Sequence, residues 1–302
     1  MNSSPESSVA GASQVAATPS IHHRRADAYL ATLLGLPGAA AATPELGLPG
    51  GHPVGMTISK SLRRLRTEEG FAYAWTALFV RWLGGNVAAW LSVAPDILDD
   101  ARGILASDDP QVAFGDKEVS RLRRSIAARR GVAVANIRSI SLLLYLPREP
   151  VVNTRHPSWL GPPVRQIRES ECPARVPKES IAAGTAFGVF RGRGELASFA
   201  AATPLATLTV ALGVMLVGIE TIPEYRKQGL ARGTLQILTE HVVSLGRTPI
   251  YTCSPANTAS RRTAESAGYK LHAELTRFQI EQPCFGSDRN RAKAKATCPL
   301  GG

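Results

Sequence analysis

Hydrophobic periodicity changes character along the 302-residue chain. From residue 1 to 55 no period is sustained. Ser, Ala, Gly and Pro dominate, ending in "GLPGAAAATPELGLPGGHPVG". Such a segment buries too little apolar area to offset the entropy of ordering it. Residues 1–55 are therefore expected to be a disordered, low-complexity tail, with room for a short helix at "ADAYLATLLGL". Met56 opens "MTISKSLRRLRTEEG", which reads like the beginning of folded protein and offers an alternative start.

Residues 71–94, "FAYAWTALFVRWLGGNVAAWLSVA", are apolar but broken by Arg81 and by Gly84, Gly85 and Asn86. A spanning helix needs about 20 mainly apolar residues, and an arginine at the bilayer centre costs about 3 kcal/mol on insertion scales. No membrane partner is expected. The run reads as two packed helices, with Trp75, Trp82 and Trp90 in a core or at a homodimer interface. In "DKEVSRLRRSIAARRG", Val119, Leu122 and Ile126 keep helical spacing, acids occupy the first turn and Gly131 stops the helix. Its five arginines form a solvated face or a phosphate grip. Ile137–Pro147 is a strand-type run, and the proline-rich "REPVVNTRHPSWLGPPVRQ" predicts irregular structure. Residues 56–184 thus form an N-terminal region, helical and then β.

From about residue 185 the alternation sharpens. "TAFGVF" and "ELASFAA" flank a Gly-bearing turn and predict a hairpin. A further strand ends at "MLVGIETI", Met215 to Ile222. Leu235, Leu238, Val242 and Leu245 then keep one helical face, which Gly246 ends. "PIYTCS" is a strand, "NTASRRTAESAG" a helix between Asn257 and Gly268, and "YKLHAELTRFQI" a last strand. The fold class is α/β of the α+β type: a mixed, mostly antiparallel sheet flanked by helices, preceded by a helical N-terminal region. Residues 185–282 form its core and 283–302 a basic flexible tail. "EQPCFGSDRNRAKAKATCPLGG" is too polar for a closing strand, so either the N-terminal part closes the sheet or the domain is truncated.

Composition adds limits. An apolar fraction of 44% supports a sizeable core, and a net charge of +11 favours anionic partners. Nucleic acid is not expected, the tail "RNRAKAKA" being most simply solvated. The four cysteines lack C-x-x-C spacing and the six histidines lack a ligand pattern, so no metal is expected. "MNSSPESSVAGASQVAATPS" has neither a basic start nor an apolar core, so a reducing, cytoplasmic location is expected.

The loop "PEYRKQGLARG", Pro223 to Gly233, carries the candidate chemistry. It joins a strand to a helix whose first-turn N–H groups have no partners within the helix. Those donors and the positive dipole end make an anion site, which Gly229 lets the backbone approach closely. Arg226, Lys227 and Arg232 add positive potential. Neither a G-K-[ST] ending nor a G-x-G-x-x-G follows, so the loop suits a pyrophosphate that is held and not cleaved.

"Arg226-Lys227-Gln228-Gly229-Leu230-Ala231" resembles the R/Q-x-x-G-x-G/A signature of the GNAT superfamily of acetyl-CoA-dependent N-acetyltransferases. The preceding "TIPEY" is similar to that family's strand-to-loop entry, and "NTASRRTAESAGY" resembles its N-x-x-S/A…G-F/Y helix. The resemblance implies that Ile219, Glu220 and Thr221 pair through their backbone with the pantetheine arm of acetyl-CoA, beside a splayed gap. It implies that N–H groups from Lys227 through Gln228, Gly229, Leu230 and Ala231 to Arg232 cradle the pyrophosphate. Asn257 would hydrogen-bond the pantetheine end or simply cap its helix. The reaction would be direct attack of an amine on the thioester. The acceptor is an unidentified amine of a small molecule or peptide.

The chain departs from the family where catalysis would be assigned. Where many members carry a tyrosine acid, Ala264 stands here, and Thr252 is nearest to a glutamate often found after the loop helix. Glu220 is the remaining candidate base. Cys253 and Ser254 lie near the expected thioester, but direct transfer needs no nucleophile. The alternative function is a non-catalytic acyl-CoA-binding regulatory or partner-binding module.

Overall fold

The computed structural model describes residues 20–34, 36, 54–58, 75–83, 88–104, 115–148, 161–171, 173–192, 194–203 and 212–280. Among them, ten segments are extended: β1 Val54–Ile58, β2 Trp75–Trp82, β3 Ala88–Val93, β4 Ile137–Pro147, β5 Val164–Gln166, β6 Ala186–Arg191, β7 Glu195–Thr203, β8 Val214–Thr221, β9 Thr248–Cys253 and β10 Tyr269–Ile280. They form one sheet in the order β1-β3-β2-β10-β4-β9-β8-β7-β6-β5. Only β1–β3 and β8–β9 are parallel. The helices are α1 Ile21–Leu34, α2 Leu98–Ile104, α3 Asp116–Arg130, α4 Lys178–Ala182, α5 Leu230–Ser244 and α6 Thr258–Ser266. The sheet is mixed, mostly antiparallel and flanked by helices, as its alternation predicts.

From Leu142 to Leu146 the strand β4 is an unbroken apolar run, because both of its faces are covered from Leu143 onward. Leu144 and Leu146 meet Ala26, Leu30 and Leu34 of α1 on one face. Leu143 and Tyr145 meet Leu235 and Leu238 of α5 and Ala264 of α6 on the other. β4 lies between β9 and β10, and β2 flanks β10 on its other side. The N-terminal part therefore closes the sheet, and no break in the sheet falls at residue 185.

Several expectations are corrected. The tail reading fails for residues 21–34, where His22, Ala26, Leu30 and Leu34 recur every four residues as a buried stripe. Polar contacts add to it. His22 Nδ1 lies 2.9 Å from Thr248 Oγ1, and Arg25 donates to the Gly246 carbonyl at 2.7 Å. The carboxylate of Asp27 accepts from Trp82 Nε1 at 3.0 Å and pairs with His272 Nε2 at 2.8 Å. A start at Met56 would delete α1 and the first two residues of β1. The rest of the 1–55 and 283–302 tails, apart from residues 20, 36, 54 and 55, lies outside the described residues.

Residues 75–82 and 88–93 are antiparallel strands, β2 and β3, and not two helices. Leu78, Val80, Trp82 and Trp90 pack under α1, while Ala77, Phe79, Leu91 and Val93 pack under α2 and α3. With both faces buried, a strand shows no alternation of polarity, and periodicity cannot separate it from a buried helix. The tryptophans Trp82 and Trp90 are core residues, not an exposed dimer surface. In α3, as expected, Leu122 and Ile126 face the core and Gly131 ends the helix in the left-handed region, at φ 62°. Three of the five α3 arginines are held within the chain: Arg129 pairs with Asp100, Arg130 with Asp96, and Arg123 donates to the Ile137 carbonyl. Leu245 lies just past α5 and is half exposed, because the helix ends at Ser244. Val164–Gln166, expected to be irregular, is a three-residue edge strand. No helix among the described residues is long and apolar enough to cross a membrane.

Leu30 is fully buried, so Leu30→Ala is expected to lower the unfolding free energy by about 2–5 kcal/mol in urea titrations. A change below about 0.5 kcal/mol, the level of an exposed site, would show that α1 does not share the core.

Candidate functional site

The parallel ladder between β8 and β9 runs from Val214↔Thr248 to Val217↔Tyr251 and stops there. β8 continues to Thr221, paired only with β7, and β9 continues to Cys253, paired only with β4. The two strands therefore part company within the sheet. Ile222 N–H donates to the Ala197 carbonyl of β7, so even-numbered residues of β8 aim their backbone groups at β7. Odd-numbered residues aim theirs at the gap, namely Ile219 and Thr221. The Thr221 carbonyl accepts from Arg226 Nε at 3.2 Å, whereas Ile219 has no ladder partner on β9.

At the end of β8 a turn, Pro223–Tyr225, leads into α5. Lys227 and Gly229 both lie in the left-handed region, at φ 60° and 76°. For Gly229 this conformation costs nothing, whereas a side chain there is strained. Gly229 is the residue before α5, and the first helical bond runs from Gly233 N–H to the Gly229 carbonyl. Among the described residues, no acceptor lies on the N–H groups of Gln228 through Arg232. Left-handed turns followed by free helix N–H groups form an anion-binding concavity. The loop is pinned from outside: Tyr225 donates to Glu195 at 2.7 Å, and Arg191 reaches Gln228 at 3.5 Å. The Glu195 carboxylate raises the Tyr225 pKa by holding its hydroxyl proton. Leu230 is buried, while Arg226, Lys227 and Arg232 are exposed.

Asn257 sits just before α6, and its side chain accepts from Ser260 N–H at 3.0 Å. It is therefore a helix cap, with its Oδ1 engaged there. Next to it Tyr251 OH lies 2.6 Å from Ser260 Oγ. Ala264 is fully buried in a cluster with Tyr145, Tyr251 and Tyr269, which fill the space beneath α6. Burial pushes the Tyr251 and Tyr269 pKa values up, and raises Cys253 as well. Cys253 is 6% exposed, so its thiol is kept protonated and away from solvent. Ser254 accepts from Ala256 N–H at 3.3 Å, shaping the turn before α6.

The carboxylate of Glu220 projects to the opposite face of the sheet from α5, the face it shares with its cross-strand neighbour Phe199. There it forms an ion pair with Arg175 at 2.8 Å. Both border a cavity of about 260 Å³ whose walls include Pro173, Leu196, Phe199 and Ile222. Strand alternation places Thr252 of β9 on this same face, across the gap. The structure thus brings Ile219, Glu220, Thr221 and the 226–232 loop to one end of β8. Arg175, Glu195 and Phe199 were missed by sequence reasoning. Arg175 lies in "CPARVPKES", where flanking prolines leave no period to read, and Phe199 looks like any strand core residue.

Residues 194–278 match the family model described as GNAT acetyltransferase. Over those residues the chain is similar to the GNAT acetyltransferases, a family that uses acetyl-CoA. The chain aligns with a GNAT-family protein from Novosphingobium aromaticivorans at 24% identity, over 49% of this chain and 68% of the other, with a TM-score of 0.36. An N-acetyltransferase from Sphaerobacter thermophilus aligns over 88% of this chain and 95% of its own, at 13% identity and a TM-score of 0.41. A Salmonella typhimurium structure solved with acetyl-CoA aligns over 34% of this chain and 68% of its own, at 16% identity and a TM-score of 0.26. No curated protein matches the chain.

Buried Cys253 is expected to react with iodoacetamide at pH 7.5 at least about tenfold more slowly in the native than in the urea-unfolded protein. Peptide mapping distinguishes it from the other three cysteines. Equal rates would place an accessible thiolate beside the gap.

Proposed function

We propose that this chain is an N-acetyltransferase that moves an acetyl group from acetyl-CoA to an amine of a small molecule or peptide by direct attack. The observation that carries the reading is the conjunction of the β8–β9 gap with the unpartnered N–H groups at the start of α5. An extended amide-bearing arm fits the first, and a pyrophosphate fits the second. Ile219 and Thr221 would present strand-type hydrogen-bonding groups to the arm, with Glu220 between them facing the acceptor side. Lys227, Gln228, Gly229, Leu230, Ala231 and Arg232 would cradle the pyrophosphate, with Arg226 holding the Thr221 carbonyl and adding charge. Asn257, engaged as a cap, would act on the arm through its remaining amide N–H groups. Acetyl-CoA supplies the activated acyl carbon.

The protein's own contribution is proximity, orientation and a proton acceptor. Glu220 is the carboxylate on the acceptor side of the gap and would take the ammonium proton. Cys253, protonated and buried, has no role as a nucleophile in this scheme. The location is read as cytoplasmic.

Thiol release from acetyl-CoA across a panel of amines tests the proposal. CoA binding without release on any amine would favour the non-catalytic acyl-CoA-binding module instead. Gly229→Glu is expected to abolish acetyl-CoA binding, because it puts a strained side chain and a negative charge into the anion site. Unchanged affinity would remove the loop from the cradle. Glu220→Gln is expected to depress the rate mostly below the pKa of the acceptor amine, where the ammonium must first lose a proton. An unaltered pH–rate profile would eliminate Glu220 as the base.

A further inference from the structure

The acceptor side carries more information than the donor side reveals. On the face of the sheet opposite α5, the guanidinium of Arg175 and the carboxylate of Glu220 stand 2.8 Å apart. They sit at the edge of a cavity walled by Pro173, Leu196, Phe199 and Ile222. The side chains of Arg175 and Glu220 are 64% and 43% exposed, so their pairing is held by little and exchanges readily with a ligand. Opposite charges side by side over an apolar floor match one chemistry. The ligand carries an ammonium and a carboxylate on the same carbon, with an apolar substituent.

We infer that the acceptor is a free α-amino acid with an apolar side chain, recognised by exchange of the Arg175–Glu220 pair for two pairs to the ligand. This rests on the N-acetyltransferase reading above. The ligand carboxylate takes the Arg175 guanidinium, whose planar donor fork suits it. The ligand ammonium takes Glu220, which places the nitrogen beside the end of β8 where the gap opens. The side chain lies on Leu196, Phe199 and Ile222. The volume of about 260 Å³ is below the range of about 300–1,000 Å³ found for drug-sized ligands, and so admits a small acceptor. A peptide N-terminus lacks the carboxylate on the same carbon and offers Arg175 nothing in return. In the reaction the ammonium proton passes to Glu220, the amine nitrogen bonds to the acetyl carbon, and the carbon–sulfur bond of acetyl-CoA breaks. The nitrogen gives up its second proton to water as the amide forms, and the leaving thiolate takes a proton from water, so the products are an N-acetylamino acid and CoA. Arg175 is the specificity-determining residue of this arrangement.

The test compares L-leucine with 3-methylbutylamine, which lacks the carboxylate, and with 4-methylpentanoate, which lacks the ammonium. Calorimetric titration into the full chain without CoA reads binding alone. Leucine is expected to bind at least tenfold more tightly than either analogue, and Arg175→Gln is expected to reduce its advantage over 3-methylbutylamine to near one. Arg175→Lys, keeping the charge without the fork, should restore part of it, and Arg129→Gln, on α3, should leave it unchanged. In thiol-release assays the KM of leucine should rise at least tenfold in Arg175→Gln. Equal binding of leucine and 3-methylbutylamine, or a ratio indifferent to Arg175, overturns the inference. Turnover of 3-methylbutylamine with no advantage for leucine overturns it while leaving acetyl transfer standing. Failure to bind CoA, measured separately, removes the reading on which it rests.

Discussion

Backbone amides inside a sheet are satisfied by the neighbouring strand, and an interior strand that loses its neighbour must offer them elsewhere. β8 is such a strand. Its ladder to β9 ends at Val217↔Tyr251, four residues before β8 itself ends. From that divergence the rest of the site follows. Past Thr221 the chain turns through left-handed Lys227 and Gly229 and starts α5 with its free N–H groups beyond the same end of β8. One geometric event therefore sets an extended hydrogen-bonding edge and an anion concavity next to each other. It also leaves Glu220, which points to the other face, on the far side of the gap from α5.

The two faces of the sheet are built differently. Beneath α5 and α6 the tyrosines Tyr145, Tyr251 and Tyr269 pack with Leu235, Leu238 and Ala264, a dry layer whose burial raises the pKa of all three tyrosines. That layer is support. The face over β7 carries the exposed Arg175–Glu220 pair and an apolar cavity, where charges remain available to a ligand. The loop before α5 is similarly held by exposed contacts, Tyr225 to Glu195 and Arg191 to Gln228. Rigid packing positions the candidate site, and weak surface pairs occupy the places that the proposed function gives to ligands.

Much of the C-terminal half was legible because its physics is local. The loop "YRKQGLARG" declares its positive φ through Gly229 and its helix through Leu230, Leu235 and Leu238. Asn257 and Gly131 announced a helix start and a helix stop, and both serve so. The hairpin β6–β7 showed in its alternation around a glycine turn. Legibility failed where burial was two-sided or supplied from far away. β2 and β3 lost their alternation because α1 covers one face and α2 and α3 the other. α1 looked like part of a tail because its apolar stripe has value only against residues distant in the chain, from Leu78 and Trp90 to Leu144, Leu146 and Ile250. Arg175 gave no signal because nothing local fixes its position.

The sequence by itself determined the local conformations whose causes lie within a few residues, namely the glycine turn, the caps, the alternating strands and the positive loop. Tertiary structure decided the order of the sheet, in which β4 enters between β9 and β10 and β2 flanks β10. It decided where the β8–β9 ladder stops, and which carboxylate meets which guanidinium across 45 residues of chain. Periodicity records which faces are buried and not what buries them. Partner identity, and with it the acceptor side of this protein, exists only once distant segments share one sheet.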